Sequence, residues 1–483
     1  MALHQAPTDL APPRTQLPPI IQGGMGVAVS SWPLARAVSA AGQLGVVSGT
    51  ALDVVLARRL QDGDPGGHLR RALAHFPVPA MAQRVLDRYF RAKGRAAGQP
   101  YLPVPKLGLR PSTGGLELGV VGAFVEVWLA KEGHTGPVGI NLLEKIQMAS
   151  PSAAYGAMLA GVDVVLVGAG IPVQFAAMLN RLAHHEPVVL DVRVDDATRA
   201  YTVDLDPDRL TGGGLAPLHR PQLLAIISAH ILAVHLARDP ATTPDGFVVE
   251  APPAGGHNAP PRGRLTLDED GQAVFGPRDQ ADLAAVATVG VPFWLGGGHG
   301  TPEQVRRARE AGASGVQVGS LFALAAESGI EPELRRSMLA DLAAGTLEVR
   351  TDPRASPTGF PFKVVTMPGT QSDAEVYRAR PRLCDVAHLR VPFERSTGTV
   401  GYRCPGEPVD VYVEKGGTVE GTAGRTCLCN TLLATVGLGQ TRREGYREAP
   451  LLTLGTDLSG AAALLERHPD GWRAADVLAY LLG

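Results

Sequence analysis

A (β/α)8 TIM barrel of the α/β class, with a β-hairpin insertion and a loop-rich, cysteine-containing C-terminal extension, is what this sequence predicts. Three observations carry the prediction. Eight short apolar runs recur between residues 18 and 320. Unbroken apolar character is how parallel strands read when helices cover both faces of the sheet. Helical or irregular segments separate the runs, which is the rhythm of βαβ units. Most of the runs lead straight into glycine, asparagine or histidine, at the strand ends where barrels of this class place their active sites.

The elements follow in order. Residues 1–17 are rich in proline and polar side chains and are expected to form an arm. The first strand, Pro19-Ile20-Ile21-Gln22, leads into Gly23-Gly24-Met25-Gly26. A helix is expected from Trp32 to Ala41, with serines before it and Gly42 as its stop. Leu44-Gly45-Val46-Val47-Ser48 is the second strand. Further strands are Pro137 to Leu142, Val162 to Val167, Gln222 to Ile227, Gly246 to Glu250, Val291 to Leu295 and Gly315 to Val318. The barrel is thus expected over residues 18–345, with two insertions. Residues 51–135 are long for one crossover and hold a basic stretch from Arg84 to Arg95. Residues 187–206 alternate with period two around a polar turn, a hairpin whose polar face is open to water or a partner. Beyond about residue 345 the rhythm stops, and residues 346–483 read as an extension with a helix near 471–482.

Composition narrows the function classes. The 483 residues carry 45 basic and 47 acidic side chains, a net charge of −2. That balance gives no electrostatic reason to expect nucleic acid or an anionic membrane as a partner. Aromatics are only 5% of the chain, while glycines number 58 and prolines 40. An aliphatic core with many tight connections follows. The first residues lack a basic-then-apolar leader, and no run of 18 apolar residues occurs. A cytoplasmic protein without a membrane span is therefore expected.

The strand ends hold the candidate site. Gly297-Gly298 follows the seventh strand and Gly319-Ser320 the eighth. Glycines there let backbone N–H groups approach a phosphate, and this is where such barrels build phosphate sites. Thr301-Pro302-Glu303 supplies an N-cap and a first-turn proline for the next helix. After the sixth strand comes Ala254-Gly255-Gly256-His257, where His257 is a candidate base, proton donor or hydrogen-bond partner. Gly23, Gly24 and Met25 can line a flat ligand, and the Asn141 amide can face a ring edge. Each feature alone also reads as an ordinary tight turn.

Together these motifs resemble the nitronate monooxygenase (2-nitropropane dioxygenase-like) family of FMN-dependent TIM-barrel proteins, which is related to flavin-dependent enoyl reductases. The resemblance runs through Pro19-Ile20-Ile21-Gln22-Gly23-Gly24-Met25-Gly26, Gly139-Ile140-Asn141-Leu142, Ala254-Gly255-Gly256-His257, Leu295-Gly296-Gly297-Gly298 and Val316-Gln317-Val318-Gly319-Ser320, in that order. It implies FMN at the barrel mouth, its phosphate held by Gly297, Gly298, Gly319 and Ser320. The ring would lie near Gly23, Gly24, Met25, Asn141 and Gly256, with His257 beside it. The implied reaction is oxidation of an alkyl nitronate by dioxygen to a carbonyl compound and nitrite. The alternatives are an NAD(P)H-dependent reductase acting on an enoyl thioester in fatty-acid or polyketide synthesis, and a flavin-binding subunit without turnover. Where the family often has an acidic residue directly before Ala254, this chain has Pro253, with Glu250 three residues earlier.

The four cysteines, Cys384, Cys404, Cys427 and Cys429, all lie in the extension. Four thiolates suit zinc or an iron–sulfur cluster, with His388 as a substitute ligand. Buried small apolar side chains, or a Cys427/Cys429 redox pair, are the other readings. Arg262, Arg354 and Lys363 are candidate substrate contacts, and solvated loop positions otherwise.

Overall fold

The computed structural model describes residues 16–442 and 444–483, so residues 1–15 of the expected arm lie outside the described residues. Eight parallel strands form one sheet: β1 (Ile20–Gln22), β2 (Gly45–Ser48), β3 (Val138–Leu143), β4 (Val164–Gly168), β5 (Gln222–Ile227), β6 (Gly246–Glu250), β7 (Phe293–Gly296) and β8 (Gly315–Val318). Their order is β1-β8-β7-β6-β5-β4-β3-β2. A parallel bridge between Ile21 and Leu44 joins the two ends of that sheet. There Gln22 N–H donates to the Leu44 carbonyl at 2.9 Å, and Leu44 N–H donates to the Ile20 carbonyl at 3.1 Å. The sheet closes, and the eight apolar runs are its eight strands.

Apolar side chains fill the barrel interior. Ile21, Leu44, Val46, Val164, Leu166, Leu224, Val248 and Trp294 form one buried cluster. The Trp294 indole N–H donates to the Pro18 carbonyl at 3.0 Å, which satisfies the one polar group in that cluster's largest ring. Glycine opens several strands for a steric reason. A Cβ on Gly45 would lie 2.0 Å from the Ala35 carbonyl oxygen, and one on Gly315 would lie 1.8 Å from that of Pro19. No side chain fits at those contacts.

Residues 51–135 fold into four helices, Leu52–Gln61, His68–Ala74, Pro79–Tyr89 and Thr113–Lys131. The last is 19 residues long with a mean hydropathy of 1.4, long and apolar enough to cross a membrane. It is instead a core helix. Two-thirds of it is buried (67%), with Val120, Phe124 and Val127 packed among barrel helices. The two ends of the basic stretch are ion-paired: Arg84 meets Glu117 at 2.6 Å and Arg95 meets Asp62 at 3.1 Å.

The expected hairpin pairs Val188–Asp191 with Thr202–Leu205 in antiparallel register. Its polar turn is not free for a partner. A second hairpin, Val391–Glu394 with Val400–Arg403, takes it. Asp195 N–H donates to the Pro392 carbonyl and Glu394 N–H to the Asp195 carbonyl, both at 2.9 Å. The last hundred residues are equally tied in. Leu452, Leu454, Leu464, Trp472 and Val477 share one core cluster with Leu34, Val316 and Phe322. The expected terminal helix is Ala474–Leu482.

Truncating Leu166 inside the barrel should cost about 2–5 kcal/mol of unfolding free energy, because the closed interior cannot collapse onto the gap. Truncating Val189, 61% exposed on the hairpin, should cost less than about 0.5 kcal/mol. Denaturant melts of Leu166→Ala and Val189→Ala check both.

Candidate functional site

The loops after the strands converge on one cavity, and water-sized centres can occupy about 240 Å³ of it. That is on the order of twenty times the room one water needs, so the cavity is built for a ligand. Every barrel residue expected at the site lines it: Gly23, Gly24, Met25, Asn141, Gly256, His257, Gly297, Gly298, Gly319 and Ser320. Leu389, Leu428, Cys429, Leu432, Leu454 and Asp457 are among the residues of the C-terminal segment that add to the wall.

The glycine-rich loop after β1 is held by Gln22. Its amide oxygen accepts from Val46 N–H at 3.0 Å, and its amide nitrogen donates to the Ser30 hydroxyl at 2.8 Å and to the Gly23 carbonyl. Ser30 in turn accepts from Met25 N–H at 3.0 Å. Gly24 is required here, because a Cβ would lie 2.3 Å from that of Asn141. Asn141 thus lies against the loop, its Oδ1 buried without a partner among the described residues; Gln317 Oε1 and His299 Nδ1 are in the same condition. All three side chains line the cavity. A buried polar atom left unpaired costs about 1–3 kcal/mol, which a polar ligand edge at these atoms would offset. Gly297 and Gly298 have φ of 82° and 74°, a backbone form that glycine adopts without strain. The Ser320 hydroxyl accepts from Gly455 N–H at 2.8 Å and keeps its proton to donate. Thr301 and Gln304 form the capping box of the following helix, Pro302–Glu310.

His257 is fixed by the C-terminal segment. Its Nε2 lies 2.6 Å from the Ser356 hydroxyl, its backbone bridges to Phe362, and its ring meets that of Phe362 edge-on at 4.9 Å. Burial, with the nearby Lys145 charge added, pushes the imidazole down to about 3. It is therefore neutral at physiological pH, suited to hydrogen bonding rather than to carrying a proton. Lys145, absent from the sequence reading, stands 2.8 Å above the Phe360 ring centre. Its amine has no hydrogen-bond partner among the described residues, and burial pushes it down to about 7. Glu250, at the end of β6, also lines the cavity. Burial pushes its carboxyl up to about 7, so it holds or gives a proton near neutrality.

Other expectations change. Among the described residues no three His, Cys, Asp or Glu side chains are placed to hold a metal. The zinc or iron–sulfur site on Cys384, Cys404, Cys427 and Cys429 is therefore corrected. All four are free thiols, and burial disfavours the thiolate at each, pushing Cys429 up to about 12. No disulfide joins any two of them, and Cys429 lines the cavity. His388 binds Asp53 instead of a metal. Arg262 is exposed and donates to the Ser228 carbonyl at 3.0 Å. Arg354 is exposed, and Lys363 is buried against the Thr351 hydroxyl. Asp457 was not foreseen; it sits beside Gly298, bound by Gln304 at 2.8 Å.

No protein-family model matches the chain, and no curated protein matches its sequence. Solved structures of similar shape include FabK from Thermotoga maritima, at 15% identity and a TM-score of 0.47 over 96% of this chain and 91% of that one. The enoyl reductase domain of MlnA from the macrolactin biosynthesis cluster of Bacillus amyloliquefaciens gives 13% identity and a TM-score of 0.48, covering 96% and 92%. Nitroalkane oxidase from Streptomyces ansochromogenes gives 17% and 0.40, covering 87% and 96%.

Glu250 yields a pH test. Its folded-state pKa, about 7, lies above the ordinary carboxyl value of 4.5. The folded protein therefore holds a proton that the unfolded chain has lost, and stability falls as pH rises from 4.5 to about 7. Glu250→Gln should flatten that part of the stability–pH curve, as read by denaturant midpoints at pH 5 and pH 7.5.

Proposed function

We propose that this chain is an FMN-dependent oxidoreductase that oxidises alkyl nitronates with dioxygen to a carbonyl compound and nitrite. The observation that carries the proposal is the convergence of unpaired polar atoms, glycine loops and His257 on one cavity. The donor set suits the cofactor. Gly297, Gly298, Gly319 and Ser320 would hold the phosphate, Asn141 and Gln317 would meet the polar edge of the ring, and Gly23, Gly24, Met25 and Gly256 would leave it room. When bound, FMN accepts electrons from the substrate and passes them to dioxygen.

The chain's own residues then have definable tasks. His257 is neutral, and Ser356 restrains its Nε2. It orients an anionic nitronate through a hydrogen bond without competing for a proton. The apolar wall of Leu389, Leu428 and Leu432 receives the alkyl chain and excludes water from it. Asp457, beside Gly298, weakens by like charge the hold that Gly297, Gly298, Gly319 and Ser320 would have on a phosphate.

The same apolar wall supports a second reading. It would accept the acyl chain of an enoyl thioester, with NAD(P)H as electron donor in place of the nitronate. A flavin-binding role without turnover is less well supported, because the segment 253–261 leaves His257 lining the open cavity.

His257→Ala should retain bound FMN and slow nitrite release from an alkyl nitronate at least tenfold, the low end of what a positioned imidazole contributes being about 100-fold for full acid–base work. Loss of FMN, or unchanged turnover, removes the role given to His257. Asp457→Asn should tighten FMN binding a few-fold, about 0.5–1 kcal/mol by relief of like-charge repulsion, measured by quenching of flavin fluorescence.

A further inference from the structure

We propose that Ser356 is a positioning residue that fixes His257 as the Nδ1–H tautomer, so that the ring meets its ligand as a hydrogen-bond donor and selects an anionic acceptor such as a nitronate oxygen. The substrate named here rests on the nitronate-oxidising reading, whereas the tautomer rests on the geometry around the ring.

The two residues lie 99 positions apart and are tied together from both sides. Ser356 is fully buried, at 0% exposure. The Arg425 guanidinium donates to the Ser356 carbonyl at 2.6 Å and to the Arg354 carbonyl at 2.9 Å. Thr426 N–H donates to the Ala355 carbonyl at 2.9 Å. On the histidine side, residues 256–258 run along 361–363. Lys363 N–H donates to the Gly256 carbonyl and Asn258 N–H to the Pro361 carbonyl, both at 2.9 Å. The Phe362 ring meets the imidazole edge-on. Hydroxyl and imidazole therefore face each other from two fixed backbones.

The two ring nitrogens have different surroundings. Nε2 lies 2.6 Å from Ser356 Oγ. Nδ1 takes no hydrogen bond among the described residues and, unlike Asn141 Oδ1 and Gln317 Oε1, is not closed off by protein. The ring lines the cavity, so Nδ1 is the nitrogen that a ligand reaches. Burial and the Lys145 charge both disfavour the imidazolium, which leaves the ring one proton to place.

The Ser356 hydroxyl decides where that proton sits. Its oxygen accepts from Thr358 N–H at 3.2 Å and lies 2.8 Å from the Thr358 hydroxyl. With the Thr358 hydroxyl donating, both Ser356 lone pairs are filled and only its own proton is left for Nε2. The length of the contact agrees. A bond donated by N–H rarely falls below about 2.7 Å, whereas one donated by a hydroxyl reaches about 2.5 Å. Nε2 is then the acceptor, and the ring carries its proton on Nδ1.

A fixed Nδ1–H suits one kind of partner. A nitronate oxygen offers a lone pair and negative charge, and a hydrogen bond to a charged acceptor is roughly twice as strong as a neutral one. The opposite tautomer would set a ring lone pair against that oxygen. Ser356 lies behind the ring rather than along the cavity wall, so it acts on the ligand through His257.

The test uses the full-length, FMN-loaded protein with nitrogen-15 labelled histidine, whose spectrum at neutral pH distinguishes a protonated from an unprotonated ring nitrogen. The chain has 13 histidines, so the His257 signals are assigned by their loss in His257→Asn. In the wild type, Nδ1 should be protonated and Nε2 not. Ser356→Ala should show both tautomers and raise KM for the nitronate of 1-nitropropane about tenfold, with kcat within about twofold. Ser356→Thr, which keeps the hydroxyl, should restore the tautomer and KM, with flavin content showing that the variants fold. A wild-type ring protonated on Nε2 overturns the proposal whether or not any variant folds. A folded Ser356→Ala with the wild-type tautomer and KM overturns it as well. Failure of the wild type to oxidise the nitronate removes the proposed function, and the spectrum, which needs no substrate, then supports or overturns the tautomer by itself.

Discussion

The barrel mouth depends on one buried amide. β1 and β2 meet through a single bridge, Ile21 to Leu44, so the seam of the closed sheet is its weakest pairing. Gln22 spans that seam, bonding Val46 on one side and the 23–30 loop on the other. The loop carries Gly24 against Asn141 and Met25 against the Gly319 turn. The placement of β3 and β8 residues at the mouth therefore follows from how β1 closes on β2. A buried amide with both ends satisfied specifies one register, because a slip would strand its polar atoms.

The second constraint is that the barrel does not complete its own cavity. Ser356 holds His257, Thr453 accepts Gly256 N–H at 2.9 Å, and Gly455 N–H binds Ser320. Two strand-end loops, those after β6 and β8, are thus held by residues 99 to 197 positions away. The same C-terminal segment brings the leucines of the apolar wall and His388. Its own core is continuous with that of the barrel, so loss of its packing would disturb the site as well as the surface. The geometry links stability and chemistry through this segment.

Much of this was legible in the sequence. The eight strands were, because apolar runs between glycine-bounded loops have few other uses, and the hairpin at 187–206 was, because alternation with period two is a local signal. The strand-end residues were legible for the same reason: a closed parallel barrel brings its loops together whatever lies between them. Pairings across long separations were not. Nothing near His257 points to Ser356, and nothing near Asp53 points to His388, since those contacts arise only when the C-terminal segment folds back. Glu250 was visible as an acidic residue out of its expected place, but its raised pKa comes from burial, which spacing does not reveal. The cysteines misled because clustering in sequence suggests a metal, whereas burial disfavours the thiolate at each and the side chains are not placed to share an ion.

The most direct test of the account is the visible spectrum of the FMN-loaded protein under anaerobic conditions, recorded before and after adding an alkyl nitronate, and separately before and after NADPH. The flavin band should bleach with the nitronate and persist with NADPH. Rapid bleaching by NADPH with no response to the nitronate would contradict it and assign the cavity to an enoyl thioester. A protein that binds no flavin would contradict the assignment of the whole site.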